Sequence, residues 1–385
     1  MKYLILSLFL GAFIFACNQK KAVTVRSPHA KKQYRYVVYS KSKTSKIEDV
    51  KKAIEMHKGK VHKKLKYNKG YVAYLDSTSL PMGNNGLLGP DVVYERDIQF
   101  EAISGCQMPQ PTDPTLPGEP IEQPKQTIPW GVSEVEAPKA WQVTKGKGVI
   151  ICSVDTGADI DHKDLAPNIV GGENFVEGVL SYDDDNGHGS HTIGTMVALD
   201  NEIGVVGVAP EAKVFAVKVL DSTGLGWSSD IADGIMSCIS NGADVINMSL
   251  GSSSPSPIIE NAVKEAYKSG LIIVAAAGNE STSVGYPARY PEVVAVSSLD
   301  SDGLKSYFSN FGPEIAYIAP GGEINSTTPF SNYDVYSGSS MASPHVAAVY
   351  ALALSVGRKA IKADDMGLWQ YYQGKGKPNA YETVK

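Results

Sequence analysis

Five strongly apolar runs mark the chain beyond residue 145, at 148–154, 213–220, 243–248, 271–277 and 293–298. Each is too short for a buried helix and apolar on nearly every position, the pattern of a strand covered on both faces of a parallel sheet. Between them, 229–239 and 258–267 repeat apolar residues at three- and four-residue spacing, which predicts helices with one buried stripe. Strand–helix alternation of this kind predicts an α/β fold of three layers, a mostly parallel central sheet with helices on both faces. Nearer the N-terminus, 34–39, 70–75 and 91–95 read as strands and 47–56 as an amphipathic helix, a second and smaller α/β module.

The remaining segments divide the chain. Met1-Lys2 precedes an apolar run from Leu4 to Ala16 that is too short to span a bilayer, so residues 1–17 read as an export signal removed in the mature protein. Residues 104–125 are rich in proline and read as an extended linker. The domains expected are therefore 1–17, 34–103, 104–125 and 126–385. At 43% hydrophobic residues, with 37 Gly and 22 Pro, the composition is that of a loop-rich globular enzyme. Charge is uneven: the first 70 residues hold 18 Lys/Arg against 3 Asp/Glu, and the rest hold 18 against 38. A basic segment is a candidate for nucleic-acid or membrane binding, but no nucleic-acid module is evident and its strands and helix read instead as a small folded module whose charge complements the acidic remainder. Besides Cys17 there are Cys106, Cys152 and Cys238, which allow one internal disulfide of unspecified pairing. Cys152, in the middle of an apolar run, reads as a small core residue.

The candidate chemistry lies in three Gly-rich frames: Val154-Asp155-Thr156-Gly157, His188-Gly189-Ser190-His191, and Gly338-Ser339-Ser340-Met341-Ala342. A serine hydroxyl needs a base to become a nucleophile, imidazole titrates near neutrality, and a carboxylate orients the imidazole. Asp155 ends an apolar strand, where open α/β sheets place ligands, and Ser340 opens a small-residue helix. Asp…His…Ser is one of the chain orders in which hydrolytic triads occur. His188 and His191 stand three apart but lack the His-Glu-x-x-His pattern of zinc proteases.

With these motifs the chain resembles the subtilisin-like serine proteases, the subtilases, over about residues 126–385. The resemblance implies Ser340 as nucleophile, His188 as base, Asp155 as orienting acid and Asn279, in Gly278-Asn279, as oxyanion donor. It implies substrate pairing by Ser249, Leu250 and Gly251 and by Gly224, Leu225 and Gly226. Ala276, Ala277, Gly278 and Gly285 would wall a roomy specificity pocket that favours large apolar residues before the cut, with Glu280 at the rim admitting Lys or Arg. A structural Ca²⁺ is implied, held by Gln126, Asp164, Leu199, Asn201, Ile203 and Val205. Residues 34–103 resemble the family's inhibitor pro-domain, with self-cleavage expected between Phe100 and Cys106 after Glu95-Arg96-Asp97. Ile14-Phe15-Ala16-Cys17 resembles a lipobox, making Cys17 a lipidation site in the bacterial cell envelope; the alternative is ordinary cleavage near Ala16. The function implied is an exported serine endopeptidase made as a zymogen, periplasmic or extracellular once matured, its partners being peptide substrates and its own pro-domain. The competing reading is a catalytically silent protein that keeps the fold as a binding surface. The 45 residues after Ser340 form a shorter tail than the family's usual one, which puts a final strand and helix over 372–384 in question.

Overall fold

Alternation along the apolar strands builds two cores at once. A computed structural model describes residues 33–42, 46–76, 80, 85–88, 91–103 and 123–385. The expectations for residues 1–17, for Cys17 and Cys106, and for most of the linker lie outside them. Seven parallel strands form the central sheet, in the order Ile315–Pro320, Val294–Leu299, Ile272–Ala276, Val245–Met248, Ile150–Asp155, Lys213–Lys218 and Ile169–Asn174. Ile151, Val245, Val274 and Val296 point into one core, with Ile193 of the helix His188–Val197 and Val346 of the helix Ser339–Ser355. Their chain neighbours Cys152, Ile246, Ile273 and Ala295 point into the other, with Ile231 and Ile235 of Ser228–Ser240 and Ile258 and Ala262 of Pro257–Lys268. Successive side chains of a strand face opposite ways, so one run serves both layers.

All five apolar runs are strands of this sheet. Its two edge strands were not among the expectations, because Ile169–Asn174 contains Gly171-Gly172 and Ile315–Pro320 closes on a proline. Both features are tolerated where a strand has a neighbour on one side only. The short tail does fold: a helix Gln370–Gln373, a strand Lys377–Asn379 paired with Lys362–Asp364, and a helix Ala380–Val384. Cys152 is more than a core residue, since it forms a buried disulfide with Cys238 of the helix Ser228–Ser240, 86 residues on. That bond fastens the strand ending at Asp155 to the helix layer below it.

The N-terminal module is an antiparallel sheet in the order Lys60–Lys64, Gly70–Asp76, Gln33–Ser40, Val92–Arg96 and Asn85–Leu87, with the helix Ile47–Met56 on one face. Its other face, through Val37, Tyr39, Val72 and Val93, shares a buried cluster with Ser228–Ser240 and Pro257–Lys268, the two helices on one face of the central sheet. Two carboxylates of the module finish those helices. Glu95 accepts the backbone N–H of Ile258 at 2.8 Å, and Asp97 accepts Ser229 N–H at 3.0 Å and the Ser228 hydroxyl at 2.9 Å. Neither helix has a side-chain cap of its own, so the module supplies what their N-termini lack. Lys63 and Lys66 pair with Asp230 and Glu173, and His62 Nε2 lies 2.8 Å from Glu177.

Candidate active site

Asp155 is the last residue of its strand and His188 the first of its helix, and both are buried. His188 Nδ1 donates to Asp155 Oδ1 at 2.7 Å, which leaves Nε2 as the acceptor nitrogen of the neutral ring. Asp184 holds this junction together: its carboxylate accepts the Thr156 hydroxyl and the backbone N–H groups of Gly187 and Ser190 at 2.8–2.9 Å. Gly189 is obligatory here, because a Cβ at that position would lie 2.2 Å from the Gly157 carbonyl oxygen.

Ser340 opens the long buried helix Ser339–Ser355. The hydrogen-bonded chain expected to run from Asp155 through His188 to the Ser340 hydroxyl stops one link short. The hydroxyl donates instead to the Ser249 carbonyl at 2.9 Å, and His188 Nε2 is buried with no hydrogen-bond partner. The same Ser249 carbonyl accepts Ile103 N–H at 3.2 Å. Catalytic hydrogen bonds of this kind commonly form only with reacting substrate in place.

The filling comes from the chain itself. Gln99–Ala102 runs between Leu225–Trp227 and Leu250–Gly251 as the middle strand of a three-stranded antiparallel sheet. Ala102 N–H donates to the Gly224 carbonyl at 2.9 Å, and Glu101 pairs with Gly251 and Leu225. At the end of this strand Asn279 Nδ2 donates to the Ile103 carbonyl oxygen at 3.1 Å. Ser339 N–H, on Asn279 Oδ1 at 2.9 Å, turns the amide so that its NH₂ faces that oxygen. The Ile103 side chain is buried over Gly251, where a Cβ would meet it at 2.6 Å. Ala276 ends its strand and Ala277 and Gly278 follow it, and Gly285 N–H bonds the Ala277 carbonyl at 2.9 Å, which brings Gly285 to the other expected pocket residues. Phe100, also buried, anchors the strand further back.

His191 turns away from His188. Its Nε2 faces the carbonyls of Ile324 and Asp334, its ring stacks on Tyr336 at 4.2 Å, and burial pushes its pKa down to about 3, so it stays neutral.

The six residues expected to hold a cation also meet. Gln126 Nε2 reaches the Leu199 carbonyl at 2.8 Å, Asn201 reaches Asp164 Oδ1 at 2.8 Å, and Val205 N–H donates to Asp164 Oδ2 at 3.1 Å. Ile203 N–H bonds Asn201 Oδ1 at 2.8 Å. Asp164 is fully buried without a Lys or Arg partner, and burial raises its carboxyl to about 6. The amides of Gln126 and Asn201 present their NH₂ groups here; with both amides flipped, their oxygens, the Asp164 carboxylate and the loop carbonyls would form the hard donor set that Ca²⁺ takes. Among the described residues no three His, Cys, Asp or Glu side chains cluster as a metal site.

A strand-end carboxylate bonded to a helix-first histidine, with a serine in the first turn of a buried helix and an amide donor at a peptide carbonyl, is the arrangement of a serine hydrolase that binds extended peptides. Comparison with known proteins identifies which: the model of the subtilase family matches residues 146–369, and the chain belongs to that family and is a serine endopeptidase. Subtilisin E of Bacillus subtilis is 39% identical over 330 residues, 83% of this chain and 80% of its own length. Subtilisin DY of Bacillus licheniformis is 47% identical over 236 residues, 60% of this chain and 85% of its own. A thermostable alkaline protease of Halalkalibacterium halodurans is 47% identical over 232 residues, 60% and 63% of the two chains.

Proposed function

We propose that this protein is an exported endopeptidase made as a zymogen, in which residues 34–103 are the inhibitory pro-domain and Asp155, His188, Ser340 and Asn279 carry the reaction. The observation that carries this reading is the register of Ile103. Its N–H is on Ser249, its carbonyl oxygen is on Asn279, and the strand before it pairs on both sides, the arrangement of a peptide held for cutting at its carbonyl. Within the window 100–106 this selects the bond between Ile103 and Ser104.

In the proposed reaction the Ser340 hydroxyl leaves Ser249 and gives its proton to His188 Nε2 as Oγ bonds the substrate carbonyl carbon. Asp155 stabilises the resulting imidazolium through Nδ1–H, and the oxyanion takes the Asn279 amide. The proton on Nε2 then passes to the departing amine as the C–N bond breaks. Water, deprotonated by His188, releases the acyl group and restores the serine.

Ile103 in the cleft supports a preference for large apolar residues before the cut. The bulk of the Ca²⁺ proposal rests on Asp164, Gln126 and Asn201 with the carbonyls of Leu199, Ile203 and Val205; the ion would stiffen the loop 199–205 against the N-terminal end of the body. Export is supported by the apolar run 4–16 and by the Cys152–Cys238 bond, which fits an oxidising compartment. The described residues contain no helix long and apolar enough to cross a membrane. Lipidation of Cys17 would then anchor the pro-domain alone, and maturation would release the protease.

Expression of wild type and Ser340→Ala side by side tests the reading. Wild type is expected to split into two fragments, the larger beginning at Ser104, and Ser340→Ala to stay whole. A variant that still splits at this bond would remove Ser340 from the reaction, and an intact wild type would favour the silent binding protein.

A further inference from the structure

We propose that Asn310 is a positioning residue of this protease, setting both the oxyanion donor Asn279 and the charge of Glu280 at the mouth of the specificity pocket. The inference deepens the function proposed above and rests on it. Asn310 belongs to none of the motifs, is 1% exposed and uses every hydrogen-bonding site of its amide on one short loop. Its Oδ1 accepts the backbone N–H groups of Glu280 at 3.0 Å and Thr282 at 2.9 Å. Its Nδ2 donates to the Ala277 carbonyl at 3.1 Å and to Glu280 Oε2 at 2.6 Å. Asn279 lies within the six residues, 277–282, that these bonds span.

The loop needs such a clamp. Gly278 has φ of +111° and Ser281 of +53°, the latter a left-handed conformation that a residue with a Cβ adopts only when its surroundings impose it. The fit at Gly278 is close: a Cβ there would lie 2.1 Å from Asn310 Nδ2 and 2.8 Å from Glu280 Oε2. Removing the amide takes the side-chain acceptor from the N–H groups of Glu280 and Thr282 and leaves the Ala277 carbonyl with Gly285 N–H alone, and it frees the loop carrying the oxyanion donor. It also releases the Glu280 carboxylate, which is otherwise held against Gly278 beside the pocket. The field of Glu280 extends to the bound strand, since that charge, after partial burial, helps to raise the carboxyl pKa of Glu101.

Two consequences separate this role from plain stabilisation. A displaced oxyanion donor lowers kcat more than it raises KM, whereas a released Glu280 lowers the preference for Lys over Phe before the cut. The test uses matured enzyme and peptide anilides ending in Phe or Lys, with wild type as reference and its loss of cleavage in Ser340→Ala as the check on the underlying reading. Asn310→Ala is expected to lower kcat on the Phe substrate about tenfold with KM within about twofold, and to lower the Lys/Phe ratio of kcat/KM about fivefold. Asn310→Ser gives the same readings should Asn310→Ala fail to mature. Glu280→Gln, which retains a side-chain oxygen for Asn310, is expected to lower the Lys/Phe ratio by a similar factor, and adding Asn310→Ala to it should lower kcat without moving the ratio again. A folded Asn310 variant with wild-type kcat and an unchanged ratio, whatever its melting temperature, overturns the proposal. So does a Glu280→Gln enzyme whose ratio does not move.

Discussion

Asn279 gives the sharpest separation of binding from chemistry. Its amide makes one hydrogen bond to a peptide carbonyl, and in the proposed reaction that oxygen becomes an anion, so most of the donor's worth would appear only on the way to the transition state. Asn279→Ala is expected to lower kcat by about 10²–10³, the loss known for removing such a donor in subtilisin, with KM nearly unchanged in steady-state assays. Asp155, His188, Ser340 and Asn279 were legible in the sequence because each stands in a rigid local frame of glycine and small residues. Asp184 and Asn310 were not. Asp184 reaches across to Thr156, and Asn310 to a loop 30 residues away, contacts that exist only once distant segments meet.

The junction between the N-terminal module and the two helices it caps should respond to pH with a definite sign. Burial raises Glu95 to about 7 and Asp230 to about 6, each above an ordinary carboxylic acid, so the docked state binds more protons than the separated one. Docking is then strongest below the ordinary carboxylate range and weakens as pH rises from there through about 7. After self-cleavage the module is expected to co-elute with the protease at pH 5.5 and to separate more readily at pH 8.5 on size exclusion. Equal retention at both values would mean that other groups offset these two. The disulfide acts on the same helix from beneath. Closing a loop of 86 residues, it should contribute about 4–5 kcal/mol by restricting the unfolded chain. Reduction, or Cys152→Ala with Cys238→Ala, should lower the denaturation midpoint of the sulfonyl-fluoride-blocked enzyme accordingly. Neither the pairing nor the two edge strands could be read from sequence. Cysteine pairing depends on which strand lies over which helix, and an edge strand has only half the burial that makes a central one apolar.

Across the whole molecule, calcium would tie the first residues of the protease body to the loop 199–205. EDTA is expected to lower the melting temperature of wild type but not of Asp164→Ala, since an ion present at 100 times its dissociation constant stabilises the folded state by about 2.7 kcal/mol. An unchanged wild-type melting curve would count against a structural ion.

Apolar runs and glycine-framed motifs are local properties, and they were enough to announce five of the seven sheet strands, the two helices on one face of the sheet, the strands and helix of the smaller module, and the four side chains proposed to react. Contacts between distant segments are not written in any window of residues. The capping of the body's helices by Glu95 and Asp97, the entry of Gln99–Ala102 into the cleft with Ile103 at Asn279, and the turn of the Ser340 hydroxyl toward Ser249 arise only when the packed core brings those segments within hydrogen-bonding reach.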